Sequence, residues 1–168
     1  MRTPCLDAEI AEIAQGLLQR GWMMGTAESC TGGAIAAACT DIPGSSAWFA
    51  GGLVTYTIPW KVKYLGVPQK LVDDAGVVSK EVVSAMLDGL RRECGVQAGI
   101  AVSGIAGPTG AEPGKPVGTV VVGVDAGTRR YVEMRHFPGD REGVRAAVVA
   151  FGLRKLREML ATGNEGNG

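Results

Sequence analysis

Met23-Met24-Gly25-Thr26-Ala27-Glu28-Ser29-Cys30-Thr31-Gly32-Gly33-Ala34-Ile35-Ala36-Ala37-Ala38-Cys39 changes character twice in a short span. Met23 to Glu28 reads as a strand and Ser29 to Gly33 as a tight turn. Ala34 to Cys39 reads as a helix whose small-residue face can press close to a sheet. A strand that runs through a turn directly into a helix is the building unit of α/β folds. Upstream, Leu6, Ile10, Ile13, Ala14, Leu17 and Leu18 repeat at helical spacing until Gly21 stops them.

Downstream, Asp41 to Ser46 is turn chemistry and Phe49 to Thr57 reads as a strand. Pro59 can open a short helix, and Ser79 can cap a longer one that buries Val82, Val83, Met86, Leu87 and Leu90. Ile100 to Ser103 and Gly118 to Val124 are apolar strands, and Arg129 to Phe137 pairs with the latter as a hairpin. Arg141 to Leu160 is the last helix. The order predicts an α/β fold, a three-layer α/β/α sandwich with a mixed, mostly parallel sheet. It forms a single domain over residues 1–162, with 163–168 as a tail without apolar anchors.

The last helix carries two apolar stripes. Val144, Val148 and Phe151 lie on one face, and Val149, Leu153, Leu156 and Leu160 lie nearly opposite, with the change at Gly152. The expectation is that one stripe packs on the sheet and the other, through Leu156 or Leu160, on a second subunit of a homo-oligomer, a dimer first.

Formal net charge is +0, from 17 basic and 17 acidic side chains, which leaves no global attraction for nucleic acid or an anionic membrane. Four cysteines without C-x-x-C or zinc-like spacing read as reduced thiols. Asp7 and Glu9 interrupt the place where a secretory signal needs its apolar stretch, and no run of eighteen apolar residues offers a membrane span. A cytoplasmic protein is expected. The 26 glycines exceed what turns need and suggest backbone brought close to a ligand or to other backbone.

Four segments could carry chemistry. In Glu28 to Gly33, a hydroxyl at a strand-to-helix turn can be exposed beside backbone N–H groups able to hold an anion, or Ser29 or Thr31 can simply cap the helix. In Val54 to Lys61, the lysine can act as a general base only if desolvation or a nearby cation lowers its pKa; otherwise it is a surface lysine, as Lys63 is expected to be. Ser103-Gly104-Ile105-Ala106-Gly107-Pro108-Thr109-Gly110 can turn successive N–H groups toward a phosphate or an oxyanion, yet it fits neither the P-loop nor the dinucleotide spacing. In Gly139 to Arg145, Asp140 can cap the last helix. Arg141 and Arg145, four residues apart, present two guanidinium forks that suit a phosphate or remain on a solvated face. Cys30 is an alternative nucleophile without a histidine beside it, lone His136 has no companions for a metal, and Trp22, Trp48 and Trp60 read as packing residues, Trp60 being placed to cover a ring.

Taken together, Ala27 to Gly33, Pro43 to Ser46, Val54 to Thr57 with Lys61, Leu65 to Val67, Gly76 to Ser79, Ser103 to Pro108, Lys115 to Thr119 and Gly139 to Arg141 resemble the CinA C-terminal family over nearly the whole chain. The resemblance implies hydrolysis of nicotinamide mononucleotide to nicotinate mononucleotide and ammonia, with no metal or other cofactor. It implies Ser29 as nucleophile, Lys61 as base and Tyr56 nearby. Backbone donors of Thr31, Gly32 and Gly33, or of Gly104, Ile105, Ala106 and Gly107 after Ser103, would hold the oxyanion, and the other loop with Arg141 and Arg145 the phosphate. Ile58-Pro59-Trp60 stands where the family commonly has Asn followed by acidic or small residues, and Ala111 where a glycine is common. The stand-alone form is expected, without the large N-terminal domain of many members. The partner expected is a small pyridine nucleotide, with no nucleic acid and no membrane. The competing reading is a non-catalytic pyridine-nucleotide-binding or competence-associated module. A dinucleotide-binding dehydrogenase is disfavoured by the glycine spacing.

Overall fold

The decisive stretch folds as expected: in a computed structural model that describes residues 4–162, Met24–Glu28 is a strand (β1) and Ala34–Thr40 a helix (α2). Before them comes α1 (Pro4–Arg20); after them come β2 (Phe49–Val54), α3 (Ile58–Leu65), α4 (Gln69–Ala75) and α5 (Lys80–Cys94). The chain ends with β3 (Ala98–Gly104), β4 (Thr119–Ala126), β5 (Arg129–His136) and α6 (Arg141–Thr162). The proposed tail 163–168 lies outside the described residues.

The sheet runs β2-β1-β3-β4-β5. β1 pairs parallel with both β2 and β3, whereas β3–β4 and β4–β5 are antiparallel, so four strands share a direction and β4 opposes them. The fold class is as expected. Side-chain alternation divides two cores: Ile100, Val102, Val120 and Val122 face α1, α2 and α6, while Ala101 and Val121 face α3, α4 and α5. Every residue of β4 is buried, which is why Val120 to Val124 reads as an unbroken apolar run, and the buried Asp125 beyond it is paired with Arg91 and Arg130.

Two glycines let layers close. A Cβ on Gly89 of α5 would stand 2.0 Å from the Leu65 carbonyl at the end of α3, and one on Gly152 of α6 would meet Ile100 at 3.1 Å. Ser79 caps α5 by accepting from the Val82 N–H at 3.2 Å. α4 was not legible as a helix: it has seven residues and only Val72 is buried, too short for an apolar period to repeat.

The two-striped helix is resolved within one chain. Leu153, Leu156 and Leu160 are buried in the same core as Val144 and Val148, and α1 packs along α6, with Leu160 against Gly16. α1 covers the stripe expected to face another subunit, and the observation on which a dimer was expected is thereby accounted for without one. No helix among the described residues is long and apolar enough to cross a membrane.

Candidate active site

After β1 the chain moves to β2 on one side, then returns to place β3 on the other. The C-terminal ends of β1 and β3 are therefore a topological switch point, where α/β sheets leave a crevice. α2 leaves on one face and α3 to α5 on the other. A cleft of about 420 Å³ opens there, a size suited to a small molecule. Its lining includes Ser29, Cys30, Tyr56, Ile58, Lys61, Ser103 to Gly107 and Arg141.

Lys61 sits in the first turn of α3, where helical geometry tilts its side chain back toward the helix start. Nζ lies 2.9 Å from Ser29 Oγ and donates to the carbonyls of Thr55 at 2.7 Å and Tyr56 at 3.4 Å. The residue is 1% exposed, and burial lowers its pKa from the ordinary 10.5 to about 8, because no carboxylate offsets the desolvation. A neutral amine held by two carbonyls keeps its lone pair for a third partner, and that partner is Ser29. Lys63 is exposed over the Tyr64 ring, as expected of it.

Cys30 is a poor competitor. Burial pushes its thiol up to about 11, so the nucleophilic thiolate is scarce at neutral pH.

The turn after Ser29 departs from expectation. The Glu28 side chain, fully buried on the α2 side of the sheet, accepts from Thr31 Oγ1 at 2.6 Å, Gly33 N–H and Ile35 N–H at 3.1 Å, and Ala36 N–H at 2.8 Å. Gly32 N–H donates to the Ser29 carbonyl at 2.9 Å. The N–H groups of Gly32 and Gly33 proposed for substrate are thus taken internally, Thr31 gives its hydroxyl to Glu28, and none of the three residues lines the cleft. Sequence reading passed over Glu28. Its signal was an acidic residue closing an otherwise uncharged strand just before a helix start.

The second loop is different. Ile105 N–H donates to Thr119, but the N–H groups of Ala106 and Gly107 take no protein acceptor among the described residues, and both residues line the cleft. The arginine pair divides. Arg141 reaches the cleft, donating to the Gly107 carbonyl at 2.8 Å and to Tyr56 Oη at 3.0 Å. Arg145 instead donates to the carbonyls of Cys30 at 3.1 Å and Thr31 at 3.0 Å, bracing the turn after Ser29 from behind, and does not line the cleft. Helical spacing put both on one face, but the carbonyls of the turn intercept the second. Asp140 caps α6 through the Gly143 N–H at 2.9 Å.

Tyr56 takes part through two groups: its carbonyl faces Lys61 and lies 3.4 Å from Ser29 Oγ, and its half-exposed phenol anchors Arg141. Trp60 packs edge-on against Tyr64 at 4.8 Å and does not line the cleft, so it covers no ring there. Trp48 is a core residue, and His136 contacts the Val117 carbonyl at 3.0 Å.

Comparison with known proteins gives a consistent set of relatives. Nicotinamide-nucleotide amidohydrolase PncC of Pseudomonas putida is 51% identical over 134 residues, covering 80% of this chain and 84% of that protein. The protein of the same name from Enterobacter agglomerans is 45% identical, covering 89% and 92%. A CinA-like protein of Geotalea daltonii is 45% identical over 90% of this chain but only 37% of its own length. The crystal structure of competence damage-inducible protein A from Klebsiella pneumoniae superposes with a TM-score of 0.90 at 36% identity, covering 95% of this chain and 99% of that one. The sequence profile of the CinA C-terminal domain matches residues 7–160. With that match over nearly all of its length, and with the fold of the solved structures, this chain belongs to the CinA C-terminal domain family.

Proposed function

We propose that this chain is an amidohydrolase that converts nicotinamide mononucleotide to nicotinate mononucleotide and ammonia, with Ser29 as nucleophile and Lys61 as its base. The observation that carries the mechanism is the buried 2.9 Å approach of Lys61 Nζ to Ser29 Oγ, with a pKa lowered to about 8. The substrate class follows from the two amidohydrolase relatives of closely similar length.

Ser29 Oγ attacks the carboxamide carbon as its proton passes to Lys61. Lys61 then returns that proton to the amide nitrogen, the C–N bond breaks and ammonia leaves. Water attacks the acyl-serine ester and gives a proton to Lys61, which passes it to Ser29 Oγ as the C–O bond to the serine breaks; the acid so formed loses its remaining proton to solvent and departs as the carboxylate. The Cys30 N–H next to the nucleophile and the uncommitted N–H groups of Ala106 and Gly107 serve the oxyanion. Gly104 and Ile105 support that loop, and Arg141, beyond it, supplies the charge for the 5′-phosphate. Arg145 and Glu28 hold the turn rather than the substrate.

Purified protein mixed with nicotinamide mononucleotide should release one ammonia per nicotinate mononucleotide formed. Saturable binding of the nucleotide with no ammonia would replace the enzyme by a binding module.

A further inference from the structure

Parallel pairing sets Glu28 opposite Val102, so Ser29 and Ser103 are each the next residue along adjacent strands. Ala27 and Ala101 face α5, and with a period of two Ser29 and Ser103 turn to that same side. Both line the cleft. Ser103 is 1% exposed, and its hydroxyl donates to the Val77 carbonyl at 2.9 Å. That carbonyl has no other donor among the described residues. Its loop is held on the other side, where Ser79 Oγ donates to the Gly76 carbonyl at 2.7 Å and caps α5.

A serine hydroxyl has one hydrogen and two lone pairs. Here the hydrogen is committed, and turning it into the cleft would take from the Val77 carbonyl its one protein donor among the described residues. Ser103 therefore offers the cleft an acceptor only. A carboxamide brings N–H groups to such an atom. The carboxylate that replaces it brings only lone pairs and negative charge.

We infer that Ser103 is a specificity residue that reads the N–H of the substrate carboxamide and disfavours the carboxylate product, helping it leave. This rests on the amidohydrolase reading above and adds to it which side of the reaction the site binds more tightly. The discrimination expected from one mismatched buried acceptor is about tenfold.

The test compares affinities for nicotinamide mononucleotide and nicotinate mononucleotide in wild-type and Ser103→Ala protein. Removing the acceptor should raise KM for the amide about tenfold and tighten competitive inhibition by the acid, two shifts of opposite sign. Both nucleotides weakening together, or neither changing, would overturn the inference. A second measurement needs no variant: on wild-type protein the methyl ester of nicotinate mononucleotide, which lacks the N–H, should bind about tenfold more weakly than the amide. Equal affinities would also overturn it. The two readings fail differently, since wild-type protein that releases no ammonia rejects the enzyme, whereas active wild type with parallel shifts rejects only the role of Ser103.

Discussion

The turn after β1 and the loop after β3 look alike in sequence, and they end adjacent parallel strands, yet they offer a ligand opposite things. Gly32 and Gly33 have their N–H groups bonded to Ser29 and Glu28, whereas those of Ala106 and Gly107 have no protein acceptor among the described residues. A glycine-rich strand end becomes an anion site only if the protein has not filled it with an acceptor of its own. Glu28 fills the first with four internal hydrogen bonds, which suits the element proposed to carry the nucleophile. The second is left open, which suits binding.

If that division holds, damage to the two turns should register in different constants. The largest effect belongs to the reacting pair. Ser29→Ala and Lys61→Arg should each lower kcat by roughly three orders of magnitude or more, since arginine keeps the charge but cannot accept the proton. Cys30→Ala should stay within a few-fold. Steady-state ammonia release measures all three, and wild-type turnover by Lys61→Arg would exclude Lys61 as the base.

Glu28→Gln addresses the contrast itself. The amide keeps the size but replaces one of the two acceptor oxygens by an NH2 group, so a donor faces at least one of the N–H groups that the carboxylate satisfied. Stability should fall by about 2–3 kcal/mol in urea unfolding, and kcat by roughly tenfold or more, with KM little altered. A variant as stable and as active as wild type would show that Glu28 does not set the difference between the turns.

The pH dependence should be of comparable or smaller size. Activity needs neutral Lys61, so kcat/KM should rise by about tenfold from pH 7 to a plateau above its pKa of about 8. The same group sets a stability trend. Its folded pKa lies below the ordinary 10.5, so between about 8 and 10.5 the unfolded chain binds a proton that the folded one has lost. Stability should therefore rise with pH across that window, and Lys61→Met should flatten the rise. A rate that falls over pH 7 to 9 contradicts the assignment.

The smallest effects should separate the arginines. Arg141→Met should raise KM several-fold with kcat nearly kept, because it faces the open loop and cleft. Arg145→Met should lower kcat several-fold with KM nearly kept, because it braces the closed turn. The reverse pattern would exchange their roles.

What the sequence by itself determined was whatever short-range patterning encodes. Periods of two and 3.6, the Ser79 and Asp140 caps, and the turn from β1 into α2 were all legible, because each depends on residues a few positions apart. Lys61 could be separated from Lys63, and the ordered motifs identified the family. Tertiary structure alone decided how those groups are shared out. The Lys61–Ser29 contact spans 32 residues, and the contacts of Arg145 with the turn span 114 and 115, separations that no local period constrains. The second stripe of α6 was visible, but not that α1 would cover it. Glu28 lies between these cases. Its partners are three to eight residues away, yet its role depends on the pleat sending it to the α2 side while Ser29 faces the cleft. A backbone donor has one hydrogen to give, and whether an internal carboxylate or a substrate receives it is settled by which acceptor the packed chain brings within about 3 Å.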